Sequence, residues 1–139
     1  MTIFALDERD PAAGAPDVDL EHEGQGERER ERVVVCADCG HHISDSAARQ
    51  PFAEGVWQER FVNPHGVLFS VERYARAPGC VGRGAPSTEF SWFAGCSWQI
   101  QLCGACLTHL GWLFRDLAGS DPAFFGLRSD KLRELDCLR

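Results

Sequence analysis

Two Cys-x-x-Cys motifs are the residues of this sequence whose type and spacing point most directly to chemistry. The first motif is CADC at Cys36–Cys39, and the second is CGAC at Cys103–Cys106. Each motif turns two thiolates toward one ion, and two such turns complete a tetrahedral shell of four sulfurs. Four soft thiolates with no open position favour a structural Zn²⁺ over a hydrolytic one. The sequence therefore predicts one structural zinc ion with these ligands: Cys36, Cys39, Cys103 and Cys106.

The residues alone leave other uses of these cysteines open. A redox motif would need a strand-to-helix junction, and an iron–sulfur cluster would use the same four thiolates. A histidine from His41, His42 or His109 would give a Cys₃His site, although four cysteines already suffice. Seven cysteines is an odd number, which excludes a closed disulfide framework. The cysteines outside the motifs have no neighbouring base and are predicted to be inert thiols: Cys80, Cys96 and Cys137.

Three of the four tryptophans lie close together in the sequence, as Trp92, Trp98 and Trp112. The second cysteine motif lies between Trp98 and Trp112, so a fixed metal turn would position the segments that carry both indoles. Aromatic residues in a small β domain are usually core. The alternative is an aromatic-walled pocket for a flat or cationic ligand. Spacing alone leaves both interpretations open.

Length and charge exclude several classes of protein. The chain has 139 residues, which suits one domain and excludes a two-domain nucleotide-dependent enzyme. The net charge is −7, but residues 1–32 carry most of the excess acid, so the remaining body is close to neutral. A body without a basic stripe argues against binding to nucleic acid or to a membrane surface. The start of the chain lacks a basic, apolar leader, and we expect a cytoplasmic protein.

The elements that must position these residues are mainly strands. Residues 1–32 are predicted to be an acidic, disordered tail, and a folded domain is expected over residues 33–139. Val56–Val62 and Val67–Tyr74 read as a β-hairpin around an Asn-Pro-His-Gly turn. Glycine and proline predict a loop over Cys80–Ser87. Helical spacing of leucines predicts a short C-terminal helix over Ser129–Leu138.

The stretch PSTEFSWFAGCSWQIQLCGACLTHLGWLF at Pro86–Phe114, together with FVNPHG at Phe61–Gly66, closely resembles the CULT domain family. This family includes the thalidomide-binding domain of cereblon, and the present sequence is most similar to its small bacterial single-domain members. The cysteine motifs, Asn-Pro-x-Gly, Ser-Trp-Phe, an isolated tryptophan and Gly-Trp-x-Phe occur in the family's order and spacing. The resemblance runs from Val33 to about Leu135 and leaves the acidic tail unmatched.

The resemblance implies a β-tent fold, in which two antiparallel sheets are pinned by one zinc ion. It also implies a three-tryptophan cage for cyclic imides such as glutarimide. In the family's pattern, the carbonyl of Phe90 accepts the imide N–H and the N–H of Trp92 binds an imide carbonyl. Animal cereblons have histidine in place of Phe90, so a side-chain hydrogen bond should be missing here. The expected ligand-binding residues are Asn63, Pro64, Phe90, Ser91, Trp92, Trp98, Trp112 and Phe114.

The expected function is therefore a binding module for cyclic imide or uracil-like rings, without enzymatic activity. Candidate ligands are thalidomide-type glutarimides and C-terminal cyclic imides of damaged peptides. Docking onto a ubiquitin ligase is not expected, because cereblon's other domains have no counterpart in this sequence. The alternative is a zinc-containing thiol enzyme of the peptide methionine sulfoxide reductase type. That enzyme would need a reactive cysteine near its C-terminal end, and Cys137 lies in an acidic context.

Overall fold

A computed structural model describes Ala5–Leu6 and residues 31–137, and these residues form antiparallel strands with two short 3₁₀ turns. The strands are β1 Ala5–Leu6, β2 Arg32–Cys36, β3 His42–Asp45, β4 Arg49–Gln50, β5 Glu59–Val62, β6 Leu68–Tyr74, β7 Cys80–Ser87, β8 Cys96–Cys103, β9 His109–Asp116, β10 Phe124–Arg128 and β11 Leu132–Asp136. The 3₁₀ turns are Ser46–Ala48 and Ser129–Lys131.

The strands form two sheets. The larger sheet has the order β1-β5-β6-β10-β9-β8-β7, with β4 also pairing with β6. The smaller sheet has the order β11-β2-β3. All of these pairings are antiparallel. The predicted fold class, mainly β with two antiparallel sheets, is confirmed.

The β5–β6 hairpin is the element that the sequence predicts most closely. Its turn is held by Asn63, whose side-chain oxygen accepts the backbone N–H groups of His65 and Val67 at 2.9 Å each. The backbone N–H of Asn63 also donates to the carbonyl of Val67 at 3.0 Å, and this bond closes the hairpin. Such local bonds make a turn strongly dependent on its own sequence. The hairpin tip is therefore fixed before any distant strand contributes.

The core has two parts, on the two faces of the larger sheet. Between the sheets lies a cluster that contains Val34, Ile43, Tyr74, Leu110 and Leu127. The opposite face carries an aromatic cluster built from phenylalanine and tryptophan rings. Burying one such side chain stabilises the fold by about 1.5–3 kcal/mol relative to leaving it exposed. The two clusters together fix the larger sheet from both sides.

An ionic network also ties the two sheets together. Arg49 on β4 forms ion pairs with Glu72 on β6, at 3.2 Å, and with Glu134 on β11. Arg49 also donates a hydrogen bond of 3.0 Å to the hydroxyl of Tyr74, and its guanidinium carbon lies 5.5 Å from that ring's centroid. Because Glu134 belongs to the smaller sheet and Glu72 to the larger one, Arg49 joins them directly.

The loop predicted over Cys80–Ser87 is wrong, because these residues form strand β7. The backbone of β8 supplies hydrogen-bond partners in register from Cys80 opposite Cys103 to Arg83 opposite Ile100. The glycine and proline residues instead mark a register shift between Arg83 and Ser87. Proline is tolerated there because β7 is an edge strand with one free side.

The predicted helix over residues 129–138 is limited to the single 3₁₀ turn Ser129–Lys131, and strand β11 follows it. Leu132 and Leu135 have helical spacing, but in a strand they lie on opposite faces, and Leu135 is exposed. Pairing of β11 with β2, in register from Leu132 opposite Cys36 to Asp136 opposite Arg32, explains the difference. Tertiary pairing here overrides local spacing.

The predicted acidic tail, residues 1–32, lies outside the described residues except for Ala5–Leu6 and residues 31–32. Ala5 is paired with Phe61 and Leu6 with Arg60 at the edge of the larger sheet. Among the residues with a described position, no helix is long and apolar enough to span a membrane.

Candidate functional site

The four motif cysteines meet at one point. Their sulfur atoms all lie within 4.8 Å of one another. The distance between the sulfurs of Cys36 and Cys106 is 3.7 Å, and that between Cys39 and Cys103 is 3.6 Å. A zinc ion bound tetrahedrally about 2.3 Å from each of four sulfurs requires distances of about 3.8 Å between those sulfurs. The cluster therefore has the size and the donor set to hold one zinc ion.

The two cysteine motifs form the same turn. Gly40 donates its N–H to the carbonyl of Cys36 at 2.8 Å, and Leu107 donates to that of Cys103 at 2.9 Å. The residue that closes each turn is left-handed, with φ of 81° at Gly40 and 66° at Leu107. Glycine adopts this conformation freely, whereas leucine does so at a cost of about 1–2 kcal/mol.

The cluster of four cysteines joins the two sheets. Cys36 ends β2 in the smaller sheet, and Cys103 ends β8 in the larger one. The motifs also contact each other through Thr108, whose hydroxyl donates to the Asp38 carboxylate at 2.9 Å. Bonds to Thr108 lower the pKa of Cys106 to about 6, whereas burial raises the pKa of Cys36, so the four thiols differ in how readily they ionise without a metal.

Two of the histidines considered as metal ligands have other partners. The ring Nε2 of His42 lies 2.8 Å from the carbonyl of Ser44, and that of His109 lies 3.0 Å from the carbonyl of Gly111. Within the described part of the chain, the four motif cysteines are the group of metal-ligating side chains that lies close enough together to hold an ion. A Cys₃His site is therefore not needed to explain the arrangement.

The three clustered tryptophans line one cavity of about 690 Å³. Seven of the eight residues that the resemblance assigned to the ligand site lie in its wall. The lining residues are Asn63, Pro64, His65, Phe69, Ser87, Glu89, Phe90, Trp92, Trp98, Ile100, His109, Trp112 and Phe114. We call this space the cage.

Backbone carbonyls hold two of the indoles in place. Trp92 donates its ring N–H to the carbonyl of Val62 at 2.9 Å, and Trp98 donates to that of Glu89 at 2.7 Å. The Trp92 ring meets Trp112 nearly edge-on, with centroids 4.7 Å apart and an interplanar angle of 72°. Because the polar N–H groups of Trp92 and Trp98 are already bonded, these rings can offer apolar faces to a ligand.

Trp112 and Phe114 belong to the aromatic core and also line the cage. Both side chains are buried, and both are part of the cluster on the outer face of the larger sheet. Trp92 and Trp98 are more exposed and pack against the same cluster. The alternatives of core and pocket are therefore not exclusive here, since one layer of rings has a packed side and an open side.

Phe90 and Ser91 form the turn that leads into Trp92. Phe90 is left-handed, with φ of 56°, and its side chain is 42% exposed. Ser91 is the one expected ligand residue that does not line the cage. Its buried hydroxyl donates to the carbonyl of Phe93 at 3.0 Å, so it stabilises the turn instead.

Several lining residues were missed by the sequence reading. Phe69 meets the Trp112 ring edge-on with centroids 5.2 Å apart, and His109 meets it at 5.0 Å. Burial lowers the pKa of His109, which favours its neutral form. Phe69 lies in the predicted hairpin and His109 three residues before Trp112, but only strand pairing brings them to the cage.

None of the remaining cysteines lines the cage in the described structure, although Cys96 packs against the aromatic cluster behind it. Burial raises the pKa of Cys80 to about 12, and burial also raises the pKa of Cys96. Cys137 follows β11 of the smaller sheet and lies outside any helix. These positions do not favour the alternative of a thiol enzyme acting at this cavity.

Comparison with known proteins finds similarity to cereblon. The cereblon of Drosophila erecta is 31% identical over 102 residues, covering 70% of this chain and 17% of that protein. The cereblons of Danio rerio and Gallus gallus are 40% and 38% identical over 76 residues, covering 52% of this chain. The chain spans about 17% of the length of these relatives. No model of a known protein family matches the chain. The resemblance to a cereblon domain is confirmed.

Proposed function

We propose, from the similarity to cereblon and the geometry of the cage, that this chain is a binding module for cyclic imide or uracil-like rings. The observation that carries the proposal is the convergence of Trp92, Trp98 and Trp112 on one cavity. These residues come from a turn and two different strands, β8 and β9. A set of indoles gathered from separate elements around open space is typical of a ligand site.

The size of the cage suits a small ring with a substituent. Small-molecule sites usually enclose about 300–1,000 Å³, and the cage encloses about 690 Å³. A saturated imide ring presents polarised C–H groups, which pack favourably against the electron-rich faces of indoles. A glutarimide ring alone would leave space, so the cage has room for a group attached to that ring.

Recognition of the imide edge is assigned to backbone groups. We propose that the carbonyl of Phe90 accepts the imide N–H and that the N–H of Trp92 donates to an imide carbonyl. Phenylalanine adds no hydrogen bond of its own, unlike the histidine of animal cereblons. The left-handed conformation of Phe90 sets the direction of its carbonyl, and the Ser91 hydroxyl fixes the following turn.

Zinc is proposed to be structural. The four cysteines would hold the ion, which would supply a crosslink between the sheets and no reaction chemistry. Strand β8 carries Trp98 and ends at Cys103, and β9 follows the same cysteine motif and carries Trp112. A fixed metal turn at this junction would therefore set the spacing of two cage walls.

The ligand classes proposed are thalidomide-type glutarimides and the C-terminal cyclic imides of damaged peptides. Both present one donor between two acceptors on a small ring. The module is proposed to act without catalysis, in the cytoplasm and without docking onto a ubiquitin ligase, and nucleic acids and membranes are not among its proposed partners.

The test is calorimetric titration of the protein with glutarimide and with N-methylglutarimide. Glutarimide should bind, and the N-methyl compound should not, because it lacks the donor and leaves the Phe90 carbonyl unpaired. Trp98→Ala should abolish binding, whereas Trp57→Ala is the matched control, since Trp57 is 49% exposed and lies outside the cage. Equal binding of the two compounds would refute the recognition mode.

A further inference from the structure

A second, smaller cavity adjoins the cage. It encloses about 380 Å³ at the tip of the β5–β6 hairpin and is lined by Arg60, Phe69, Arg128 and Asp130, together with the apolar residues Val67 and Leu68. We call it the Arg128 groove. Phe69 lines both the groove and the cage, so its side chain forms part of the wall between the two spaces.

The guanidinium of Arg128 is poorly satisfied for a group that is only 18% exposed. It donates to the carbonyl of His109 at 3.4 Å and to the Asp130 carboxylate at 3.3 Å, both beyond the usual range of about 2.7–3.2 Å. Its Nε is buried and has no hydrogen-bond partner within the described structure. Buried donors of this kind are normally paired, and an unpaired one calls for an explanation.

Arg128 is also in direct contact with the cage wall. Its guanidinium carbon lies 5.1 Å from the centroid of Phe69, and the same ring meets Trp112 edge-on. Its bond to the carbonyl of His109 reaches a second residue of the cage lining. A group that extends from a ring in the cage past Phe69 would therefore come close to a positive charge.

We propose that the Arg128 groove binds a carboxylate carried by a substituent of the ring in the cage. A carboxylate fits the planar fork of a guanidinium, and Nη1 and Nη2 of Arg128, which each make one long hydrogen bond, would have further N–H groups to donate to it. This inference rests on the proposed function and narrows its ligand class. The favoured ligands are acylaminoglutarimides with an acidic acyl group, which correspond to a peptide end with an acidic residue before the cyclised one.

The charges that line the groove support this choice. Arg60 adds a second positive charge to its wall, and Asp130 is the opposing charge. Asp130 is mostly exposed, so water and salt screen its effect on Arg128 more than they screen a buried partner. The groove therefore keeps a net preference for an anion, and removing the Asp130 charge should strengthen that preference.

The experiment compares 3-(succinylamino)glutarimide with its methyl ester by calorimetry. The acid should bind the wild-type protein about tenfold more tightly than the ester, in line with a charge-assisted bond at a partly buried site. Arg128→Gln should reduce this ratio to about one, and the ratio is compared because the acid and the ester share any effect of the substitution on the cage wall. Arg133→Gln is the matched control, because Arg133 is an exposed arginine on β11, and it should keep the full ratio. Asp130→Asn should increase the ratio.

Two outcomes would overturn the inference. One is equal affinity of acid and ester for the wild-type protein, and the other is a preference for the acid that survives Arg128→Gln. Titration with unsubstituted glutarimide distinguishes failure of this inference from failure of the proposed function, because its binding would show that the cage is intact. If glutarimide does not bind, anion binding in the groove is tested separately, by adding glutarate and measuring the melting temperature. A rise in melting temperature in the wild type but not in Arg128→Gln supports the groove, and no rise in either refutes it.

Discussion

At the scale of single residues, Phe90 is the position where the contribution of the backbone to imide binding can be measured apart from that of the side chain. Its left-handed conformation costs a non-glycine residue about 1–2 kcal/mol, and glycine adopts it without that cost. Phe90→Gly should therefore leave the free energy of unfolding unchanged or raise it by up to about 1 kcal/mol. Imide affinity should persist, because the backbone carbonyl remains.

The matched variant is Phe90→Val, since a β-branched residue is least tolerant of positive φ. It should lower the free energy of unfolding by more than about 1 kcal/mol. Both variants are measured by chemical denaturation and by glutarimide titration. Loss of imide binding in Phe90→Gly would mean that the aromatic side chain, and not the carbonyl, carries recognition.

Leu107 gives a second prediction at this scale. It closes the second cysteine turn at φ of 66°, the place that Gly40 occupies in the first turn, and it is 61% exposed. Leu107→Gly should stabilise the protein by up to about 1 kcal/mol because strain is relieved and little contact is lost. Leu117, equally exposed at 62% without a positive φ, is the control. Leu117→Gly should destabilise the protein in the same denaturation assay.

Residue types predicted much of the candidate site. The four cysteines could be singled out from their two motifs alone, whereas the three clustered tryptophans were assigned to a ligand site by the resemblance to the CULT family and not by their spacing. Ser91 does not line the cage, and the sequence could not show this because a buried hydroxyl that holds a turn looks the same in sequence as one that faces a ligand. Arg128 could not be found, because its contact with Phe69 depends on the pairing of β10 with β6.

At the scale of elements, the sequence predicted best where hydrogen bonds are local. The β5–β6 hairpin carries its own turn, and each cysteine motif closes on itself. Strands β7 and β11 were missed because their partners lie elsewhere in the chain, in β8 and β2. Glycine and proline in β7, and the spacing of leucines in β11, indicate only the local preference for loop or helix. Pairing with a distant strand outweighs that preference in both strands.

The four-cysteine cluster connects strands of both sheets, so loss of a metal bound there should destabilise the whole fold. Cys103→Ser should prevent the two motifs from being held together, and a chelator should lower the melting temperature strongly, because metal binding contributes directly to folding. Elemental analysis of the purified protein should give one zinc per chain. Absence of zinc, or melting that a chelator leaves unchanged, would contradict a structural metal. Cys96→Ser, outside the cluster, is the control.

The ionic link between the sheets predicts a pH dependence. Burial raises the pKa of Glu134, but the guanidinium groups of Arg49 and Arg32 outweigh burial and hold this pKa below its usual value. A carboxyl with a lowered folded-state pKa stabilises the fold above its unfolded pKa, and this contribution is lost as pH falls through the folded value. Stability should therefore fall from about pH 5 downward.

The comparison for this prediction is Glu134→Gln. This variant should be less stable at neutral pH, because Arg49 loses one of its two carboxylate partners. Its stability should also fall less steeply toward low pH than that of the wild type. Denaturant titrations at several pH values give both quantities, and parallel pH profiles for the two proteins would show that Glu134 does not carry the effect.

At the scale of the whole molecule, the acidic N-terminal segment is predicted to be dispensable for ligand binding. Its composition offers few groups that could build a pocket. Deleting residues 1–30, which removes the two-residue edge strand β1 but keeps all of β2, should change imide affinity by less than about tenfold, or roughly 1.4 kcal/mol. A greater loss, measured by calorimetry, would show that this segment contributes to the cage.

The pairing of β11 with β2 has a consequence for the order in which the molecule can form during synthesis. Leu132 is opposite Cys36, and the N–H of Ala37 donates to the carbonyl of Lys131 at 2.9 Å, beside the first cysteine motif. Strand β3 follows β2 closely and pairs with one of its edges, but a ribosome must release nearly all of the described chain before β11 can pair with the other edge. Until then the β2–β3 and β5–β6 hairpins can form, but the complete smaller sheet cannot. Contacts between such distant parts slow folding, and the nascent chain must pass through a stage in which β2 has an unpaired edge.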